Sequence, residues 1–380
     1  MPDLPNRSSC CCGSSGGDCK PARAEMPARR PETNEPYLTG WTDTPAGPVP
    51  LLKTTLDRRD HRGALKMRWG VGRERYAVPP GLYGVGSPKS ESPVLVTANY
   101  KLTVDRLRTA VAGLDAWILV LDTRGINVWC AAGKGTFGTE ELLRLMEAVN
   151  LPAIVAHRKL ILPQLGAPGV AAHEVTKRSG FHVAYGPVRA EDIPEYLRAG
   201  GRATEAMRQV RFEMKDRLNQ VSVEMTQGLK PLAKVLAAVA LLAFAASRPL
   251  TAGRFAELAL AYGLWVVAAY LAASVLALAL LPWLPGRAFS LKGLWVGLGL
   301  AALCALFFRA FPGLQASGWA TAAWLVFLPA VSSFVAMNFT GSTPFTSLSG
   351  VKYEMRRAVP LQVLGAALAL GLWITGVIVR

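Results

Sequence analysis

Ala116-Trp117-Ile118-Leu119-Val120-Leu121-Asp122 is a near-continuous apolar run that ends on a carboxylate. A run this short, apolar on both faces, suits a strand buried inside a parallel sheet. It leads into Gly125-Ile126-Asn127-Val128-Trp129-Cys130-Ala131-Ala132-Gly133-Lys134-Gly135-Thr136-Phe137-Gly138. Asn127 is suited to cap a helix that starts at Val128, because its short side chain can accept from an amide of the first turn. Gly133 is placed to end that helix after little more than one turn. Cys130 then falls in the first turn, where the helix dipole favours thiolate over thiol. Val128 and Trp129 oppose this by desolvation, so a thiolate there needs a further stabiliser, such as a bound metal.

Outward from this stretch, strands alternate with helices. Val94–Ala98 reads as a strand, and Val104–Gly113 as a helix capped by Thr103. Thr139–Asn150 reads as a helix capped by Thr139, with Leu142, Leu143, Met146 and Val149 on one face. Ala153–Ala156 is expected as a strand, Val170–Ser179 as a helix ended by Gly180, Phe181–Tyr185 as a strand and Ile193–Ala199 as a last helix. Upstream, Lys66–Trp69 and Arg75–Val78 suggest a hairpin. This alternation implies a parallel α/β sheet. Ligands of such sheets bind beyond the carboxyl ends of the strands, which is where Asp122 gives way to the glycine-rich loop.

Composition divides the chain. Residues 1–50 are rich in Pro, Gly, Ser and charge and read as a disordered tail; 51–205 hold the α/β domain and 206–231 a linker. Residues 232–380 read as five membrane spans, near 232–247, 255–281, 291–311, 317–337 and 359–379. The basic residues Lys215, Arg217, Lys230, Arg287, Lys292, Lys352, Arg356 and Arg357 outnumber Arg248, Arg254, Arg309 and Arg380 on the opposite flanks. The positive-inside tendency therefore puts the N-terminal domain in the cytosol of a multi-pass inner-membrane protein. Met1–Arg30 has no apolar core, so no secretory signal is expected there. The spans hold almost no ionisable residue away from their ends, and Glu257 sits close to a boundary, which speaks against an ion pathway. Gly293, Gly297 and Gly299 suit close helix packing. The net charge of +16 is spread among turns and membrane flanks, with no basic helix or aromatic RNA-binding signature, so nucleic acid is not the expected partner.

Four cysteines, Cys10, Cys11, Cys12 and Cys19, crowd the N-terminus in a spacing that fits neither a disulfide framework nor zinc. They could hold a soft metal or be incidental. Gly133-Lys134 resembles the end of a phosphate-binding loop, but that motif needs Gly at 128 and Ser or Thr at 135, where this chain has Val128 and Gly135. A structural cysteine beside a tryptophan is the plainer alternative for Cys130. His157, His173 and His182 read as packing or polar-network residues, since no two have metal-ligand spacing.

The stretch Asn127–Lys134 resembles the cap-helix motif of the mercury-methylating corrinoid proteins, a family related to the large subunit of the corrinoid iron–sulfur protein of the acetyl-CoA pathway. Val94–Tyr100, Trp117–Gly125, Gly133–Thr139, Leu162–Ala167, Ala172–Val175 and Ala184–Pro187 carry the same likeness, over about residues 90–200. The resemblance implies a Rossmann-like corrinoid-binding domain ahead of an all-α membrane domain. It implies a cobamide whose cobalt takes Cys130 as its lower axial thiolate, and no Asp-x-His-x-x-Gly pattern offers a histidine instead. Asn127 would cap the helix, Trp129 would form an apolar wall under the corrin, and Val128, Ala131 and Ala132 complete the cap helix. Gly133, Lys134, Gly135, Thr136 and Phe137 would shape the loop near the cofactor's polar rim. Thr97, Gln164, Ala184, Tyr185, Gly186 and Pro187 would contact the corrin or its tail.

The activity implied is methyl transfer to Hg(II). Because Hg(II) is an electrophile, the methyl group must leave methyl-Co(III) with its bonding pair, formally as a carbanion. A thiolate trans to that group donates to the electron-poor cobalt left behind. The resemblance further implies a ferredoxin-like partner with two [4Fe-4S] clusters as reductant and a methyltetrahydrofolate-linked methyl donor protein. Two other functions stay open: a membrane-bound methyl carrier for acetyl-CoA or other one-carbon metabolism, and a transporter with an α/β regulatory domain.

Overall fold

The computed structural model describes residues 35–379, apart from 248, 315–316 and 342–347. The N-terminal cysteine cluster lies outside those residues. The chain divides between Arg211 and Phe212 into two compact units.

The first unit is built on a seven-stranded sheet. Its strands are β1 (Leu38–Thr44), β2 (Gly47–Leu52), β3 (Gly81–Val85), β4 (Val94–Ala98), β5 (Ala116–Leu121), β6 (Lys159–Leu162) and β7 (His182–Tyr185), in the spatial order β1-β2-β3-β5-β4-β6-β7. The four strands β5-β4-β6-β7 run parallel, as expected. β3 pairs antiparallel with β5 and parallel with β2, and β1 and β2 form a hairpin at the edge, so the whole sheet is mixed. Every residue of β5 is buried, which explains its unbroken apolar sequence.

The parallel part is doubly wound. From β4 the chain passes through α2 (Lys101–Ala110) to β5 on one side. It then returns through α3 (Val128–Gly133), α4 (Thr139–Ala148) and α5 (Leu151–Ile154) to β6 on the other side of β4. α6 (Ala172–Ser179) leads on to β7, followed by α7 (Ile193–Arg198) and α8 (Glu205–Arg208). Two cores result. Val94, Val96 and Ala98 of β4 pack with Ala131 and Ala132 of α3, Leu142 and Leu145 of α4, and Val175 of α6. On the opposite face Leu95 packs with Val104 and Leu107 of α2 and with Ile193 and Tyr196 of α7. The direction of winding reverses at β4, so the loops after β4 and β6 part and leave the crevice where ligands bind in such sheets.

Several expectations are corrected. Residues 38–50, expected in the disordered tail, form the β1–β2 hairpin; its pairing comes from a distant strand, which composition does not show. The segment 66–78 is no hairpin, because α1 (Arg58–Arg68) runs through it, started by a capping box of Asp57 and Asp60. Thr103 caps nothing: α2 starts at Lys101. Thr139 is the first residue of α4, and its hydroxyl accepts from the Ala171 amide at 2.9 Å. Ala153–Ala156 is not a strand, since Pro152 sits in the first turn of α5 and the strand comes later, at Lys159.

Among the described residues the second unit has five helices long and apolar enough to cross a membrane. They are α9 (Met214–Ala246), α10 (Ala252–Ala279), α11 (Phe289–Ala310), α12 (Gly318–Met337) and α13 (Leu348–Ile378). α9 and α13 start well before the apolar stretches at 232 and 359 and carry Pro231 and Pro360 inside them. The segment 214–231, expected as linker, is thus the first half of α9. Gly297 packs on the backbone of α12, where an added Cβ would lie 2.5 Å from Pro329 Cα, and Gly293 is equally close to Ser332 and Ala336. Gly299 meets no neighbour, so it has no part in that packing. Arg217 Nη1 donates to Ala279 O at 2.6 Å, and Lys292 Nζ donates to Leu281 O and Leu284 O, each at 2.6 Å. Arg217 thus satisfies the last carbonyl of α10, and Lys292 satisfies carbonyls of the turn that follows it.

Candidate functional site

Beyond the carboxyl end of β5 the chain turns sharply. Arg124 and Gly125 both adopt left-handed backbone, with φ of 57° and 69°. Asn99, immediately after β4, holds this turn. Its Oδ1 accepts from Thr123 N (3.1 Å), Thr123 Oγ1 (2.9 Å) and Gly125 N (2.9 Å), while its Nδ2 donates to Asp122 Oδ1 at 3.2 Å. The Asp122 amide donates to Glu141 of α4 at 3.0 Å. Two strand ends and a helix therefore fix where the next segment begins.

That segment is the short helix expected from sequence. Asn127 accepts from the Cys130 amide at 2.9 Å, and α3 ends at Gly133. Lys134 caps the helix, and Gly135 after it is left-handed (φ 78°). Val128, Ala131 and Ala132 turn inward and are buried; Trp129 and Cys130 are half-buried, and Gly133 and Lys134 are exposed. The Ala131 carbonyl accepts from the amides of Lys134, Thr136 and Phe137 and folds the loop back under the helix.

The floor beneath α3 comes from the loop after β6. α3 lies against the 3-10 turn at Gln164–Gly166 and the end of β4. A Cβ on Gly166 would lie 2.5 Å from the fully buried ring of Phe137, and one on Gly169 would strike Phe137 O and Ala132 Cα. Only glycine permits this approach of two backbones.

The remaining expected residues are placed as follows. Gln164 is half-buried, and its Oε1 accepts from Arg208 at 3.3 Å. Ala184–Pro187 ends β7 at the same edge of the sheet, where Tyr185 donates to Val170 O at 2.6 Å and burial pushes its hydroxyl pKa up. Thr97 is buried, and by strand alternation it points to the Leu95 face, away from α3. His157 Nε2 pairs with Ser92 O at 2.9 Å, in keeping with a polar-network role, whereas His173 and His182 are exposed.

Tyr100 was not anticipated. It precedes α2, and its hydroxyl donates to Met67 Sδ of α1 at 2.6 Å. Burial raises its pKa, against the opposing pull of Arg73, Arg68 and Arg106, and Cys130 lies within electrostatic reach of the same hydroxyl. Behind it Arg108, fully buried, donates to Asp105 (2.8 Å) and Asp60 (2.7 Å), while Lys101 donates to the same two carboxylates. This quartet ties α1 to α2. It also gives Asp60 a structural partner set.

Among the described residues no three His, Cys, Asp or Glu side chains converge on one point. A metal at Cys130 would therefore draw fewer than three such donors from the described residues and bring its other ligands with it. The surface beside that thiol is open: a Cβ at Gly133 or Gly135 would touch nothing within 4 Å. The donor set and the bare helix face fit a metal carried in a flat macrocycle.

Residues 70–197 are similar to subunits of acetyl-CoA synthase complexes. The matching family is described as CO dehydrogenase/acetyl-CoA synthase delta subunit. The acetyl-CoA decarbonylase/synthase complex subunit gamma of Methanopyrus kandleri is 34% identical over 131 residues, which is 34% of this chain and 28% of that protein. The gamma subunit of Archaeoglobus fulgidus is 31% identical over 152 residues, 39% of this chain and 32% of that one. That of Methanocaldococcus jannaschii is 30% identical over 128 residues, 33% and 26% of the two chains. The chain thus spans about a third or less of these relatives' length. The matched segment holds Asn99, the cap helix and the 164–169 floor, and it leaves out the β1–β2 hairpin, α1 and the five apolar helices.

Proposed function

We propose that this chain is a membrane-anchored corrinoid methyl carrier whose methyl acceptor is Hg(II). The observation that carries the reading is the single half-buried thiol of Cys130 on a short capped helix with a bare outer face, at the switch point of a doubly wound sheet. Its likeness to acetyl-CoA decarbonylase/synthase subunits supports the corrinoid part. The five long apolar helices, which lie outside that likeness, favour the mercury branch over a carrier for acetyl-CoA synthesis.

A corrinoid bound here would supply a methyl group able to leave with its bonding pair to an electrophilic Hg(II). The chain's own part is to present and hold a thiolate. Asn127 fixes the first turn of α3, so Cys130 Sγ is offered at a set height above the floor made by Phe137, Gly166 and Gly169. Trp129, half-buried next to Cys130 in the chain, would serve as an apolar wall for the ligand. Gly133 and Gly135 leave room for a large flat ligand. The soft, electron-rich thiolate of Cys130 would be the protein's donor to the metal of such a group. Lys134 and Thr136 would border the ligand's polar rim. A ferredoxin-like protein with two [4Fe-4S] clusters as reductant and a methyltetrahydrofolate-linked protein as methyl source complete the reading. By the positive-inside tendency the α/β unit lies in the cytosol.

The test is the cobalt content and visible spectrum of the full chain after cobamide reconstitution, wild type beside Cys130→Ala. Stoichiometric cobalt with a base-off, thiolate-type spectrum that the variant loses is the expected result. Hg(II) and thiol acceptors are then compared with the loaded protein, and methylation of thiols alone would move the function to general one-carbon metabolism. A folded wild type that retains no cobalt overturns the corrinoid reading.

A further inference from the structure

Between Arg58 and Arg75 the chain carries Arg58, Arg59, Arg62, Lys66, Arg68, Arg73 and Arg75 against only Asp60 and Glu74. Asp60 is already neutralised inside the unit by Lys101 and Arg108. The same segment exposes large apolar side chains: Leu65 is 58% exposed, Trp69 48% and Val71 62%. The helix cannot roll to hide them. Asp60 and Met67 are both buried, one held in the ion quartet and the other under Tyr100. With 3.6 residues per turn, pinning 60 and 67 inward turns Arg58, Arg62, Leu65 and Trp69 outward as one stripe. Most of this segment precedes residue 70, where the match to the family model begins.

A fixed helix that turns arginines outward together with an exposed leucine and a tryptophan at its end has the basic and aromatic chemistry of a helix that meets a membrane surface. Clusters of four to eight Lys and Arg on such a helix meet anionic headgroups, and tryptophan settles at headgroup depth. The same chain holds five helices long and apolar enough to cross a bilayer, so a lipid surface is tethered to this patch at high local concentration. We infer that α1 and the turn after it, residues 58–75, form a docking face for an anionic lipid surface. The inference rests on the reading that the five helices cross a bilayer, and it is independent of the cofactor.

The test is hydrogen exchange of the full-length chain in nanodiscs of phosphatidylcholine alone and in nanodiscs with about 30% phosphatidylglycerol. Amides in 58–75 are expected to exchange at least about fivefold more slowly in the anionic discs, while those of β4 and α2 stay unchanged. The variant Arg58→Glu/Arg62→Glu/Lys66→Glu removes outward charge and none of the buried partners, so it should fold normally and lose the difference. Equal exchange in the two discs overturns the inference. If exchange in 58–75 then slows on adding an acidic ferredoxin, the patch is a protein-docking face instead. A chain that does not enter nanodiscs at all defeats the membrane reading and this inference together. No cobalt is needed in any arm, so the corrinoid reading stands or falls separately.

Discussion

The side chain of Asn127 accepts a 2.9 Å hydrogen bond from the amide of Cys130, the residue that offers the thiol. A helix of six residues has almost no cooperative stability of its own, so one cap decides whether it persists. Asn127→Ala should cost about 1 kcal/mol locally. Bound cobalt should fall severalfold while thermal stability of the unit barely changes, whereas Asn127→Asp, which keeps the acceptor, should retain the metal. Equal cobalt content in Asn127→Ala and wild type would contradict the placement.

Gly133 and Gly169 should respond in opposite ways to the same substitution. A methyl group at Gly133 meets nothing in the protein, and alanine in a helix is favoured over glycine by about 0.5–1 kcal/mol. Gly133→Ala is therefore expected to leave stability unchanged or raise it, yet weaken cobamide retention by crowding the open face. Gly169→Ala must push apart two backbones and should destabilise the unit by about 1–3 kcal/mol. Thermal melts with cobalt analysis on both variants check this. Destabilisation by Gly133→Ala would show that its surroundings are already filled.

Asn99 ties together Asp122, Thr123 and Gly125 through one amide side chain. Asn99→Ala strands at least the buried Thr123 amide, with a cost of about 1–3 kcal/mol. Exchange of the 122–130 amides should accelerate well before that of β5. Asn99→Asp should keep the acceptor role and rescue most of it. If both variants exchange like wild type, the turn is held by other means.

The quartet around Arg108 predicts an acid-sensitive stability. Burial pushes the Asp60 carboxyl up, but hydrogen bonds from Lys101, the Asp57 amide and Arg108 hold it below the ordinary value of 3.8. A carboxylate depressed in the folded state contributes stability that is present above its unfolded value and lost as pH falls through the folded value. Wild type should lose this contribution below about pH 3.8. Asp60→Asn, which leaves Arg108 short of a buried partner, should lose about 3–5 kcal/mol at pH 7. Denaturant midpoints at pH 7 and pH 3 for both proteins give the comparison. A variant with unchanged stability at pH 7 would show that water takes over the missing carboxylate's role.

Much of the site could be read from local sequence because it is built locally. Asn127, the six-residue helix and the inward set Val128, Ala131 and Ala132 follow from neighbouring residues. Gly180 as the end of α6 and the existence of the apolar helices do as well. What could not be read depends on partners far along the chain. Asn99 sits behind an ordinary apolar strand, and its role exists only once Asp122–Gly125 folds against it. The signal was present, a lone amide at the carboxyl end of a strand in a doubly wound sheet, where ligands and turn anchors gather. The β1–β2 hairpin carries Pro48 and Pro50 and looks unstructured until β3 arrives beside it. Four-residue segments such as Leu151–Ile154 and Lys159–Leu162 hold too little periodicity to separate helix from strand. The resemblance implies a cofactor contact for Thr97, but the period-two alternation of β4 turns it to the face opposite α3.

The floor under α3 has a consequence for how the protein is made. Gly166 and Gly169 come some forty residues after Asn127, and their backbone supports Phe137 and Ala132. While the ribosome has delivered only β4, β5 and the cap-loop segment, Cys130 has no platform beneath it. The platform under Cys130 matures only after β6 has threaded in beside β4, a non-local pairing that carries a loop-closure cost and forms late. A nascent chain should therefore be unable to hold a cobamide until residues past 170 have emerged. On the proposed function, the thiol would pass through synthesis as an ordinary cysteine, open to oxidants and stray metal ions, before its platform is built.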